Sequence, residues 1–201
     1  MKRLSILVSL VLATLLFAPL SHAIRFSVSL SGPNEAPPNA SLGIGSGFID
    51  YDPALHTLRV SFSFSGLTGT TTASHIHCCV LPPGAAGVAT TTPTFAGFPL
   101  GVTSGTYDTV LDLTLASSWN PAFITANGGT TAGAENALAA GMSSTSSYLN
   151  VHTTTFPGGE IRGFLVAQQA TNVPTLSEWA VGALAVVLLL LGLSRMRRRT
   201  A

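Results

Sequence analysis

Charge is scarce in this chain: only 8% of the 201 residues are charged, and Lys2 is the sole lysine. Between Ile24 and Asn172 three basic residues (Arg25, Arg59, Arg162) stand against seven acidic ones (Glu35, Asp50, Asp52, Asp108, Asp112, Glu135, Glu160), a net of −4. So few cations cannot neutralise a phosphate backbone, which excludes nucleic acid as a partner. The sequence also lacks a nucleophile beside a base, a glycine loop leading from a strand into a phosphate-binding helix, and a close pair of carboxylates placed for acid–base work. These absences remove the usual starting points for covalent catalysis, phosphate binding and acid–base chemistry. No internal repeat stands out, and the stretch Pro82 to Gly105 holds no titratable side chain.

The apolar residues are concentrated at the two ends. Lys2 and Arg3 precede an apolar run from Leu4 to Leu20, which closes on Ser21-His22-Ala23. A basic start, an apolar middle and small residues at the cleavage positions predict a signal peptide over residues 1–23. Pro19, just before the small-residue site, favours cleavage over anchoring. At the other end Trp179 to Leu193 is almost wholly apolar and runs into Arg195, Arg197, Arg198 and Arg199. This predicts a C-terminal transmembrane helix over 176–201. Its apolar part reaches roughly 22 Å at about 1.5 Å per residue, short against a bilayer core of about 30 Å. The basic end would face the cytoplasm and the preceding domain would lie outside, in the periplasm. Residues 169–175 read as a linker.

The exported part, residues 24–168, is long enough to bury a core. Phe26, Val28 and Leu30 alternate with Arg25, Ser27, Ser29 and Ser31, the period of a half-buried strand. The pattern recurs at Leu58 to Ser65 and at Tyr107 to Leu115, and further runs lie at 47–52, 73–80, 148–153 and 160–167. Gly, Pro, Asn and Thr clusters separate them. About seven strands without intervening helices predict an all-β sandwich or barrel. The alanine-rich stretch Ala132 to Met142 reads as a short crossover helix.

Three blocks resemble the CHRD domain, a family named for its repeats in chordin and found in many bacterial envelope proteins. They are Leu30-Ser31-Gly32-Pro33-Asn34-Glu35-Ala36-Pro37-Pro38, Ser74-His75-Ile76-His77, and Tyr148-Leu149-Asn150-Val151-His152-Thr153 running into Phe156-Pro157-Gly158-Gly159-Glu160-Ile161-Arg162-Gly163. The resemblance implies an immunoglobulin-like β-barrel and no particular reaction. The tail, Val173-Pro174-Thr175-Leu176-Ser177-Glu178-Trp179 before the apolar run and the arginines, is similar to IPTL-type C-terminal sorting signals. Val173 stands where isoleucine is usual and Ala180 where glycine is usual. This second resemblance implies processing by an exosortase-like protease, with Pro174, Thr175, Leu176 and Trp179 as motif residues, and final residence in the periplasm, at the outer surface or outside the cell.

His75 and His77 are two apart on an expected strand, so both rings leave one face from Cα atoms about 6.5 to 7 Å apart, within chelating reach of one metal. His152, on another strand, completes a three-histidine candidate site if the strands are neighbours. Copper or zinc suits three imidazoles, with Glu160 the candidate to hold a second ring nitrogen. The alternative is structural: the histidines hydrogen-bond a buried turn or Glu160 and carry no metal. Copper–zinc superoxide dismutases look similar here, with a His-x-His strand and a later Val-His strand. No histidine follows His77 in the long loop, so a bridging ligand and a separate zinc site have no counterpart.

Cys78 and Cys79, the only cysteines, fit a vicinal disulfide, soft-metal thiolates beside the histidines, or free or intermolecular thiols. Arg162 is read as a salt bridge to Glu160 or as a ligand clamp. His56, in the turn after Pro53, is expected to be exposed, and Asp108 and Asp112 to be solvated. Two classes of function follow: a non-enzymatic binding or structural envelope protein, or a copper- or zinc-binding protein.

Overall fold

The alternation of apolar residues with serine becomes strand where the sequence places it. A computed structural model describes residues 23–168 and 176–197. Eight strands run as β1 Ile24–Ser31, β2 Ile44–Asp52, β3 Thr57–Ser65, β4 Thr71–Cys78, β5 Gly105–Asp112, β6 Ser147–Thr153, β7 Ile161–Phe164 and β8 Val166–Ala167. Helices α1 Pro121–Ala126 and α2 Thr131–Ser143 lie between β5 and β6, and α3 spans Leu176–Arg197. In β1 and β3 every second side chain is buried: Phe26, Val28 and Leu30, then Leu58, Val60, Phe62 and Phe64. Their serines face outward.

All strand pairs are antiparallel and follow one path, β4-β6-β7-β1-β2-β3-β5, with β8 added to β1. The protein is mostly β, as expected, but its strands form a single sheet curled into a half barrel. The immunoglobulin-like or superoxide-dismutase-like assignment is therefore not carried by the fold. The reason is continuity: β1 joins β7 to β2, so strands that would form two facing sheets share one hydrogen-bonded path.

Phe62, Phe64, Phe95, Phe98 and Tyr107 pack inside the curve with ring centroids 5.4 to 6.1 Å apart. On the outer face Arg25 and Arg59 lie over Phe48 and pair with Asp50 and Asp108. Asp108 is thus held by Arg59 rather than merely solvated. The expected strand to Leu115 stops at Asp112, whose carboxylate accepts the N–H and hydroxyl of Thr114 and turns the chain. Leu113 is buried by that turn and Leu115 is exposed.

The run at 160–167 divides into β7 and β8 around buried Leu165. Helix α2 forms where expected and buries Ala134, Leu138 and Met142. Helix α1 was not expected, although Asn120 caps it by accepting the Ala122 N–H and Pro121 opens its first turn.

The end strand β4 is not bare. The long segment after it returns along its free edge, with Cys78 N–H on Gly87 O, Ala89 N–H on Ile76 O, Phe95 N–H on Ser74 O and Gly101 N–H on Thr71 O. Backbone pairing by a loop satisfies groups that an open edge would leave unmet. It also covers the face from which His75 and His77 project.

Residues 169–201 form a second unit, of which α3 is the described part. Among the described residues no helix is long and apolar enough to cross a membrane, so the expected transmembrane tail is not shown by them. Residues 1–22 of the expected signal peptide over 1–23, and the motif residues Pro174 and Thr175, lie outside the described residues.

Candidate metal centre

Strand register decides which side chains meet. Across β4 and β6, His77 opposes Tyr148, His75 opposes Asn150 and Ala73 opposes His152. Directly opposed residues share a face. His75, His77, Tyr148, Asn150 and His152 therefore leave the sheet together, while Ile76, Leu149 and Val151 enter the core on the other side. Small Ala73 opposite His152 leaves room for that ring to lean toward His75.

The three rings converge. Their centroids are 5.8 Å apart for His75 and His77, 5.1 Å for His75 and His152, and 6.0 Å for His77 and His152. One nitrogen from each lies within 4.8 Å of the others. His75 and His77 are buried and His152 half-buried.

Each ring has one nitrogen committed to a backbone carbonyl: His75 Nε2 to Pro93 at 2.7 Å, His77 Nδ1 to Ala86 at 2.9 Å and His152 Nδ1 to Pro157 at 2.9 Å. A carbonyl only accepts, so these nitrogens carry the protons. The bare nitrogens are then His75 Nδ1, His77 Nε2 and His152 Nε2. Two of them face each other at 3.3 Å, and His77 Nε2 is buried with no hydrogen-bond partner.

Burial pushes all three imidazoles below the ordinary histidine range, His77 to about 4, although each carbonyl bond pulls the other way. Neutral rings present lone pairs at neutral pH, which is the state a metal needs. Three imidazole nitrogens leave a further position of a four-coordinate ion for a non-protein ligand.

Glu160 does not take part. Its carboxylate accepts from Ser41 Oγ, Thr153 Oγ1, Thr68 N–H and Gly69 N–H, so backbone carbonyls hold the rings instead. Arg162 does not pair with Glu160 either. It donates to the carbonyls of Asn34, Pro83 and Gly84 and lies 4.0 Å from Glu35. Cys78 and Cys79 are joined in a vicinal disulfide. Cys78, one residue past His77, turns to the opposite face, where both sulfurs approach the Ala137 carbonyl of α2. His56 pairs through Nδ1 with buried Glu135, at 2.9 Å.

Sequence reasoning missed Tyr148, Asn150 and Glu35. The first two share the parity of His152 on β6, and that signal was available. Asn150 Nδ2 donates to Glu35 Oε1 at 2.8 Å, a link across 115 residues that no local pattern announces.

Two family models match the chain. The CHRD domain matches residues 26–165, which include all three histidines, and the IPTL-CTERM motif matches residues 171–198. No curated protein and no solved structure matches the chain. A CHRD domain followed by a C-terminal sorting motif is the layout of an exported, sorted protein. With 140 residues matched from Phe26 to Leu165, the chain belongs to the CHRD domain family.

Proposed function

We propose that this CHRD domain is a metal-binding module of the cell envelope that holds copper or zinc on His75, His77 and His152. The observation that carries the reading is the set of three bare nitrogens turned toward one point, each fixed by a carbonyl bond at the other side of its ring. Two lone pairs 3.3 Å apart repel unless an electrophile sits between them. The reading is non-enzymatic, because it asks the site to hold a metal and assigns it no reaction. Copper is favoured by intrinsic affinity and zinc by availability.

The tail is read as the handle of an exosortase-like protease that acts on Pro174, Thr175, Leu176 and Trp179. The domain would then lie in the periplasm before processing, and at the surface or outside afterwards.

Calorimetric titration of the metal-free full chain with copper(II) or zinc tests the metal site. One tight equivalent is expected, lost in His77→Ala and retained in His56→Ala. Absence of heat with both metals overturns the metal reading and leaves the histidines a structural role.

A further inference from the structure

Tyr148 stands beside the three rings without offering them a ligand. It opposes His77 across β4 and β6, and the two rings stack at 4.7 Å with 6° between their planes. Its hydroxyl meets Ala86 twice. The Ala86 N–H donates to the phenolic oxygen at 3.1 Å, and the phenol O–H lies 3.2 Å from the Ala86 carbonyl oxygen. That same carbonyl accepts the Nδ1–H of His77 at 2.9 Å.

Ala86 has little else to hold it in place. It lies in the run Gly84-Ala85-Ala86-Gly87, which carries neither a ring nor a charge. Arg162 anchors that run upstream through the Pro83 and Gly84 carbonyls, and the Cys78 N–H anchors it downstream at Gly87 O. Between these anchors two side chains grip Ala86: His77 through the carbonyl, and Tyr148 through both the N–H and the carbonyl. The guanidinium of Arg162 also lies 4.7 Å from the Tyr148 ring, which restrains the tyrosine in turn.

We infer that Tyr148 is a positioning residue of the metal site, acting through Ala86 to keep His77 in the Nδ1–H tautomer with Nε2 bare. This rests on the reading of the three histidines as a metal site. The tautomer is one-sided only while the Ala86 carbonyl stays in place. The other tautomer would turn a lone pair on Nδ1 toward the carbonyl oxygen and bury an Nε2–H where no acceptor is found. The stacked tyrosine ring opposes rotation of the imidazole out of this arrangement. Hydroxyl and ring thus act on different freedoms of His77, its proton position and its orientation.

Tyr148→Phe separates the two, because it keeps the stack and removes the hydroxyl. Outer partners of metal-binding histidines typically change affinity by about 10- to 100-fold. The inference predicts at least about a tenfold loss of copper(II) affinity in this variant and a changed copper hyperfine splitting in its electron paramagnetic resonance spectrum. In the metal-free chain, nitrogen-15 imidazole spectra should show His77 as the pure Nδ1–H tautomer in the wild type and as a mixture in Tyr148→Phe. In a His77→Ala background the same substitution should leave residual copper affinity unchanged. Copper-binding wild type with an unaltered affinity and tautomer in Tyr148→Phe overturns the inference and leaves the metal site standing. A wild type that binds no copper overturns both. A fall in unfolding midpoint with unchanged affinity and tautomer marks a merely structural tyrosine and also overturns it.

Discussion

Nδ1 of His75 and Nε2 of His152 face each other at 3.3 Å while Pro93 and Pro157 hold the opposite nitrogens of the two rings. With both protons committed to carbonyls, the close pair is two lone pairs. In the metal-free fold this is a local repulsion, and a bound ion would turn it into a pair of bonds.

Metal should therefore stabilise the fold as well as bind to it. At a free concentration 100 times the dissociation constant the gain is about 2.7 kcal/mol. For a domain of this size such a gain raises the melting temperature by roughly 5 to 10 °C. Thermal melts with copper(II) or zinc, followed by a chelator, should show the rise and its reversal. The same melts on His152→Ala should show neither.

Glu35 predicts a dependence on pH. Burial raises its carboxyl from 4.5 to about 7, although Arg162 and the Asn150 amide pull it down. The folded state thus keeps a proton that the unfolded chain releases near 4.5. This contribution is fully present below that pH and disappears as pH rises through about 7. Its upper bound is ~3 kcal/mol at one pKa unit per 1.36 kcal/mol. The three lowered histidines act in the opposite sense, so the wild-type curve alone mixes both effects. Glu35→Gln isolates one: in urea melts the wild type should lose stability relative to the variant between about pH 4.5 and 7. Parallel curves across that window would refute it.

The strands with one solvated face were legible because serine marks the outside of β1 and β3 residue by residue. Strands β4 and β6 were harder to read. Five consecutive residues from Ser74 to Cys78 are buried, so alternation disappears and only the parity of the histidines remained. That parity was enough to bring His75, His77 and His152 together. It could not name their carbonyl partners, because a backbone acceptor at Ala86, Pro93 or Pro157 leaves no mark in the side-chain pattern. Glu160 is the acid nearest to His152 in sequence, but its carboxylate is saturated by residues 41, 68, 69 and 153. His56 is exposed as expected, but its pairing with Glu135 had no local signal, since the two lie 79 residues apart. Helix α1 had its cap in plain view at Asn120 and Pro121, but its six residues are too few to show a period.

Gly141 sets two small effects against each other. It lies inside α2, where alanine is better by about 0.8 to 1.0 kcal/mol. A methyl group there would sit 2.3 Å from Cys78 Sγ, 2.6 Å from Ser147 Oγ and 3.0 Å from Cys79 Sγ. Overpacking of this kind costs roughly 1 to 3 kcal/mol, so the clash should outweigh the propensity. Gly141→Ala is expected to lower the denaturation midpoint under oxidising conditions. A variant as stable as the wild type would show that α2 can withdraw from the disulfide without cost.

Glu160 gives the last prediction. Each of its carboxylate oxygens takes one hydroxyl and one backbone N–H: Oε1 from Ser41 and Thr68, Oε2 from Thr153 and Gly69. Burial alone would raise this carboxyl, but the four bonds outweigh it and hold it below 4.5. Glutamine has the same shape and one acceptor oxygen. Whichever way the amide is turned, its NH2 confronts a backbone N–H that cannot reverse, so one buried donor stays unmet. An unmet donor costs about 1 to 3 kcal/mol, and more where the lost partner was charged. Glu160→Gln should therefore destabilise the fold by at least ~2 kcal/mol at pH 7. The sign with pH is opposite to that of Glu35. A depressed carboxyl contributes stability above its ordinary value and loses it as pH falls through the folded value. The gap between wild type and Glu160→Gln should accordingly narrow in acid, below about pH 4.5. Denaturant melts of the two proteins at pH 7 and at pH 3.5 measure it. A gap that is absent at pH 7, or that widens in acid, would mean that the four donors find other acceptors and that the carboxylate does not hold these loops together.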